Sequence, residues 1–205
     1  AAGVAAARGD DGNGVSGAAY RANLSGQRLI ACWSPDASEA GALSYQNQSN
    51  DIYSNSWGPS DDAQRLEAPG PLMAAAFEND IAVGRGGLGN IITWAAGNGP
   101  SSGDDPNYDG YPDHRATIAV TAITHRGEQA YYAEPGANIL IAAHSNGDGE
   151  SITTADIPGS GGYNSSGDVT HTFGGTSSAT PLASGVIALM LHANPNLTWR
   201  DVQHV

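Results

Sequence analysis

Apolar residues along this chain of 205 residues fall into short runs, separated by stretches in which they recur at helical spacing. That spacing predicts helices over residues 1–8, 37–43, 71–83 and 176–193. In the last of these, Ala183, Val186, Ile187, Leu189, Met190 and Leu191 carry the apolar face, and Pro195 ends it. Thr198 reads as the cap of one more helix. Short apolar runs predict strands at 28–31, 51–55, 91–95, 117–122 and 138–143. Strands alternating with helices imply βαβ units and a parallel sheet covered on both faces, an α/β fold. The Gly/Ser/Asp-rich segment 144–168 reads as a long surface loop. No internal repeat is evident.

Two segments carry candidate chemistry. Gly174 and Gly175 let the backbone turn sharply into the helix at 176, which puts Ser177 at its N-terminus. Free N–H groups and the helix dipole favour developing negative charge there, as a serine nucleophile requires. Pro181, read as first-turn, costs little. Asn98 lies in the run Trp94-Ala95-Ala96-Gly97-Asn98-Gly99 after a buried strand, where its amide is able to donate to an oxyanion. Taken singly, each is more often ordinary: a Ser/Thr-rich cap, or an Asn-Gly turn. The literal Gly84-x-Gly86-x-x-Gly89 pattern is rejected as a dinucleotide site, because a helix precedes it and a strand follows. No Gly-x-Ser-x-Gly surrounds Ser177, which disfavours an α/β-hydrolase. Asn23, Asn47, Asn164 and Asn196 begin glycosylation-like triplets that arise often by chance.

Composition narrows the class. Hydrophobic residues at 40% and charged residues at 14% are globular values, and the length suits one domain. Eight basic against twenty-one acidic residues give a net charge of −13, which argues against nucleic acid or an anionic membrane surface as partner. Carboxylates in excess suit basic peptides and calcium. Cys32 is the single cysteine, so no intramolecular disulfide forms, and it reads as a small core residue. No segment approaches 18 apolar residues, and no Cys/His spacing suggests zinc.

The heptapeptide Gly-Thr-Ser-Ser-Ala-Thr-Pro at 175–181 resembles the nucleophile motif of subtilisin-like serine proteases, and 94–99 resembles their oxyanion segment. Residues 54–62 (Ser-Asn-Ser-Trp-Gly-Pro-Ser-Asp-Asp), 84–90 and 196–204 resemble the kexin/furin proprotein convertase branch. The motifs occur in the family's order across 1–205. The absence of cysteine pairs departs from eukaryotic convertases and points towards a bacterial homologue.

The resemblance implies a subtilisin-like three-layer fold with a mostly parallel central sheet, and roles for particular residues. Ser177 is the nucleophile and Asn98 the oxyanion donor. Ser56, Trp57, Gly58 and Pro59 form the edge that hydrogen-bonds substrate backbone. Asp109, with Asp61 nearby, pairs with a basic P1 side chain, while Glu39, Glu67 and Tyr111 line S4. Asp61, Asp104 and Glu134 match a Ca²⁺ site beside the S1 pocket, and Asp11 falls in the loop of a second, structural calcium site. Implied partners are polypeptides with basic residues, a pro-domain and a C-terminal P-domain. No membrane segment is expected, and the implied location is secreted or periplasmic.

No Asp-Ser/Thr-Gly or His-Gly-Thr motif is present, so the triad aspartate and histidine are missing. Residues 1–205 are therefore expected to be a partial catalytic domain that begins just after the histidine, inactive alone. The alternative is a non-catalytic acidic calcium-binding module for basic peptides.

Overall fold

A computed structural model describes residues 1–30 and 33–205. In chain order the regular elements are α1 (Ala2–Ala6), α2 (Asp36–Leu43), β1 (Ile52–Asn55), α3 (Pro71–Gly87), β2 (Ile91–Ala95), β3 (Thr117–Ile123), β4 (Ile139–His144), β5 (Ile152–Ala155), β6 (Val169–Phe173), α4 (Thr176–Ala193) and α5 (Trp199–His204). Strands β1-β2-β3-β4 form a parallel sheet in that order, with Ile52 opposite Ile91 and Ile92 opposite Thr117. A separate antiparallel ribbon joins β5 to β6.

Two apolar layers enclose the sheet, and β2 shows how its residues divide between them. Ile91 packs with Ala179, Ala183 and Ile187 of α4. Ile92 and Trp94 pack on the opposite side with Met73 and Phe77 of α3. Successive side chains of a strand point to opposite faces, so a strand covered on both faces is apolar throughout. Polar stitching reinforces the α4 face: Ser184 Oγ meets Thr93 Oγ1 at 2.8 Å and donates to Ser54 Oγ at 2.9 Å. The resulting helix–sheet–helix sandwich is the α/β fold expected.

Several boundaries differ from expectation. Residues 28–30 form no strand; Ser34 Oγ donates to the Leu29 carbonyl at 2.7 Å, and Ile30 is exposed. Ala31 and Cys32 lie outside the described residues. Helix α1 stops at Ala6 because Ala7 adopts extended dihedrals. The segment 144–168 is not all loop: β5 lies within it and pairs with β6, a strand whose β-branched and polar residues gave no apolar signal. Helix α5 carries the expected Thr198 cap as a reciprocal box, with Asp201 N–H donating to Thr198 Oγ1 and Thr198 N–H to Asp201 Oδ2.

The rejected Gly84–Gly89 pattern is a helix-to-strand connection. Gly86 and Gly89 take φ of 66° and 80°, and Arg85 joins them at 50°. The Arg85 side chain is buried and braces the turn. Its Nη1 donates to the carbonyls of Gly89 and Leu197, its Nη2 to that of Pro195, and its Nε to Asp51.

Candidate active site

The parallel strands end together, and a cleft of about 160 Å³ opens beyond the carboxyl ends of β1 and β2. Open parallel sheets commonly bind ligands at that edge. Ser56, Trp57, Gly58 and Pro59 line the cleft after β1, Gly97 and Asn98 after β2, and Thr176 and Ser177 at the start of α4.

Gly175 caps α4 with φ of 74°, a left-handed turn that favours glycine, and delivers Ser177 as the second helical residue. Asn98 and the serine loop are bonded to each other. Thr176 N–H and Oγ1 both donate to Asn98 Oδ1, at 2.8 and 3.1 Å. With its oxygen committed as acceptor, the Asn98 side chain has only its NH₂ left to donate, and the Asp61 carboxylate beside it takes a hydrogen bond from that side chain.

Pro181 lies at the sixth position of α4, beyond the first turn assigned to it from sequence. Its missing N–H deprives the Ser177 carbonyl of an intrahelical donor. Ser56 Oγ takes that place at 3.1 Å, which ties the segment after β1 to the serine. Trp94, not singled out from sequence, also positions that segment. Its Nε1 donates to the Trp57 carbonyl at 2.6 Å, and the two rings lie 4.8 Å apart.

At the far wall Asp109 is 5% exposed. Burial, and then the carboxylates of Asp104, Asp61, Glu67 and Asp62, push its carboxyl up to about 7. Glu67 lies alongside in a parallel bridge to Asp109, and its carbonyl accepts from Gly110 N–H at 2.6 Å. Tyr111 donates to Glu39 Oε2 at 2.8 Å, and burial first and this bond second raise its hydroxyl. Arg65 Nε lies 3.0 Å from Glu67 Oε1 on the exposed side. The structure therefore brings Asp61, Asp109, Glu67, Glu39 and Tyr111 into one acidic region.

Behind Asn98, oxygens of Asp61, Asp104 and Glu134 lie within 4.8 Å of one another. Asp61 Oδ2 accepts from Asn98 N–H at 2.9 Å, and Glu134 Oε1 from Gly99 N–H at 2.7 Å. Asp104 Oδ2 and Glu134 Oε2 are buried without a hydrogen-bond partner. Burial dominates the rise of Glu134 to about 7 and also raises Asp61. Three carboxylates, two of them with an unsatisfied buried oxygen, fit a divalent cation such as Ca²⁺. Asp11 is not brought to them. It is exposed, and its Oδ1 accepts from Asn13 N–H within its own loop.

Among the described residues no histidine lines the cleft, and no helix is long and apolar enough to cross a membrane.

A glycine-led serine helix and a strand-end asparagine, facing each other across the ends of a parallel sheet, define a class: the chain belongs to the subtilase family, which it matches along residues 1–205. Within that family it is similar to kexin of Saccharomyces cerevisiae, at 41% identity over 202 residues, 98% of this chain and 24% of kexin. Proprotein convertase subtilisin/kexin type 5 of Rattus norvegicus is 40% identical over 206 residues, 100% of this chain and 11% of the relative. The chain thus spans a quarter or less of these relatives' length. The serine protease of Aeromonas sobria, solved in complex with a chaperone, superposes with a TM-score of 0.85 at 25% identity, over 98% of this chain and 41% of that one.

Proposed function

We propose that this chain is part of the catalytic domain of a calcium-dependent serine endopeptidase that cleaves after basic residues. The observation that carries the reading is the junction of Ser177 and Asn98 through Thr176 at the mouth of an acid-walled cleft.

Ser177 Oγ attacks the scissile carbonyl and gives its proton to a histidine contributed from outside residues 1–205. The carbonyl oxygen becomes an oxyanion, and the Asn98 NH₂ and N–H groups at the start of α4 stabilise it. The C–N bond breaks as the amine leaves with the proton, and water then hydrolyses the acyl-serine. Residues 56–59 hold the substrate backbone, with Ser56 and Trp94 fixing their position. Asp109 pairs with the P1 guanidinium or ammonium, supported by Asp61. Glu39, Glu67 and Tyr111 receive a second basic side chain, for which Arg65 must give way at Glu67. Asp61, Asp104 and Glu134 would hold Ca²⁺, whose charge offsets their repulsion and stiffens the Asn98–Gly99 backbone that two of them grip. Asp11 is assigned to a second calcium loop on resemblance alone.

Residues 1–205 by themselves are expected to show no useful peptidase activity. The convertase likeness supports a secreted or periplasmic setting, a pro-domain and a P-domain for the whole protein. Profiling the full-length protein on a peptide library tests the reading. Cleavage after arginine or lysine supports it; dominant cleavage after leucine or phenylalanine removes the basic specificity. Tight binding of basic peptides without turnover would favour the non-catalytic module instead.

A further inference from the structure

Behind the serine, away from the cleft, three hydroxyls and one amide converge on the two peptide groups that flank the Gly175 Cα. Asn146 Oδ1 accepts from Gly175 N–H at 2.7 Å. Ser145 Oγ donates to the Gly175 carbonyl at 2.8 Å, and Ser178 N–H donates to the same carbonyl at 3.0 Å. Ser145 Oγ lies 2.6 Å from Ser178 Oγ, and Tyr132 OH donates to it at 2.8 Å. Tyr132, Ser145 and Ser178 are buried. One closed proton arrangement has Tyr132 and Ser178 donating to Ser145 Oγ, which has two lone pairs and passes its own proton to the Gly175 carbonyl.

We propose that Tyr132, Ser145, Asn146 and Ser178 are a positioning unit that clamps Gly175 at both its N–H and its carbonyl and so sets the attack geometry of Ser177. The inference rests on Ser177 being the nucleophile. None of the four lines the cleft, so each acts through the backbone of Gly175. That backbone has much to hold. Gly175 has φ of 74°, and the Thr176 N–H, in the same peptide group as the clamped Gly175 carbonyl, orients Asn98. A rotation of the Gly175 peptide would therefore displace nucleophile and oxyanion donor together. The clamp reaches it from two other elements, the end of β4 at Ser145–Asn146 and the loop at Tyr132, so the serine turn is tied to the sheet and not only to its own helix. Buried hydroxyl chains of this kind rigidify when every member is satisfied.

The test uses the full-length protein with a peptide substrate carrying arginine at P1. Asn146→Leu keeps the shape and removes the acceptor, whereas Asn146→Asp restores an acceptor. Loss of alignment by about 1 Å costs on the order of 10²-fold, so kcat should fall about 10- to 100-fold in Asn146→Leu and recover largely in Asn146→Asp. KM and the Kd of an arginine-terminated product peptide should stay within about threefold, because the pocket is untouched. Labelling of Ser177 by a fluorophosphonate should slow in parallel with kcat. Should Asn146→Leu fail to fold, Tyr132→Phe combined with Ser145→Ala is read in the same way. Unchanged kcat, or product affinity lost in step with kcat, overturns the proposal. Ser177→Ala separates the two levels: retained turnover there removes the nucleophile reading and this unit with it. Abolished turnover with a normal Asn146→Leu removes the unit alone.

Discussion

Ser177 and Asn98 were legible because each sits in a contiguous run whose backbone requirement shows in its own letters. Two glycines precede the serine, and Gly97 and Gly99 flank the asparagine. Gly97 takes φ of 103°, a left-handed conformation that favours glycine at the strand end. The residues that hold this pair in place were not legible in the same way. Trp94, Ser145 and Tyr132 are single polar groups whose partners lie 13 to 37 positions away, and no local pattern announces such meetings. Two predictions belong at this scale. Asn98→Ala in the full-length protein should lower kcat by about 10²–10³ with little change in KM, as loss of one oxyanion donor does. Steady-state kinetics on a P1-arginine peptide checks it. Asp109→Asn should weaken kcat/KM for that peptide by about 2–5 kcal/mol, because the guanidinium enters a desolvated wall without its counter-charge. A neutral P1 peptide should be affected far less, and equal losses on both would count against Asp109 as the anchor.

Helices and buried strands followed from periodicity because burial on a fixed face fixes the spacing; β1 to β4, α2 and α4 lie close to where the apolar runs put them. The β5–β6 ribbon escaped because its residues are mostly threonine and other polar types, whose pairing is decided by backbone partners. The turn at 84–89 shows the opposite case, where a motif matched in letters and failed in context. Arg85 there supplies four hydrogen bonds from a buried guanidinium while its own backbone is left-handed. Arg85→Ala should destabilise the fold by about 2–4 kcal/mol, since hydrogen bonds to charged groups contribute about 1.5–3 kcal/mol and three carbonyls lose a donor. Chemical denaturation checks this, and a loss below about 0.5 kcal/mol would show that water replaces the guanidinium.

For the whole molecule, charge is the dominant theme. With a net charge of −13, the acidic wall and the carboxylate cluster add local repulsion to a general excess. Asp109 and Glu134 are raised from 3.8 and 4.5 to about 7. The folded chain therefore keeps those protons up to about pH 7, whereas the unfolded chain releases them near pH 4. Their contribution to stability is fully present below pH 4 and is lost as pH rises through about 7. On the proposed reading, Ca²⁺ bound there would take the place of the protons and compete with them. The gain in thermal midpoint from calcium over chelator should thus be small near pH 5 and grow towards pH 8. A pH-independent gain, or none, would mean that Asp61, Asp104 and Glu134 do not share a cation.

The central claim is that Ser177 is the nucleophile of an endopeptidase, served by Asn98. Fluorophosphonate labelling of the full-length protein, mapped by peptide mass spectrometry, tests it most directly. The account predicts one modified residue, Ser177, with labelling abolished in Ser177→Ala and slowed in Asn98→Ala. Label on another residue, or cleavage that continues in Ser177→Ala, would contradict it.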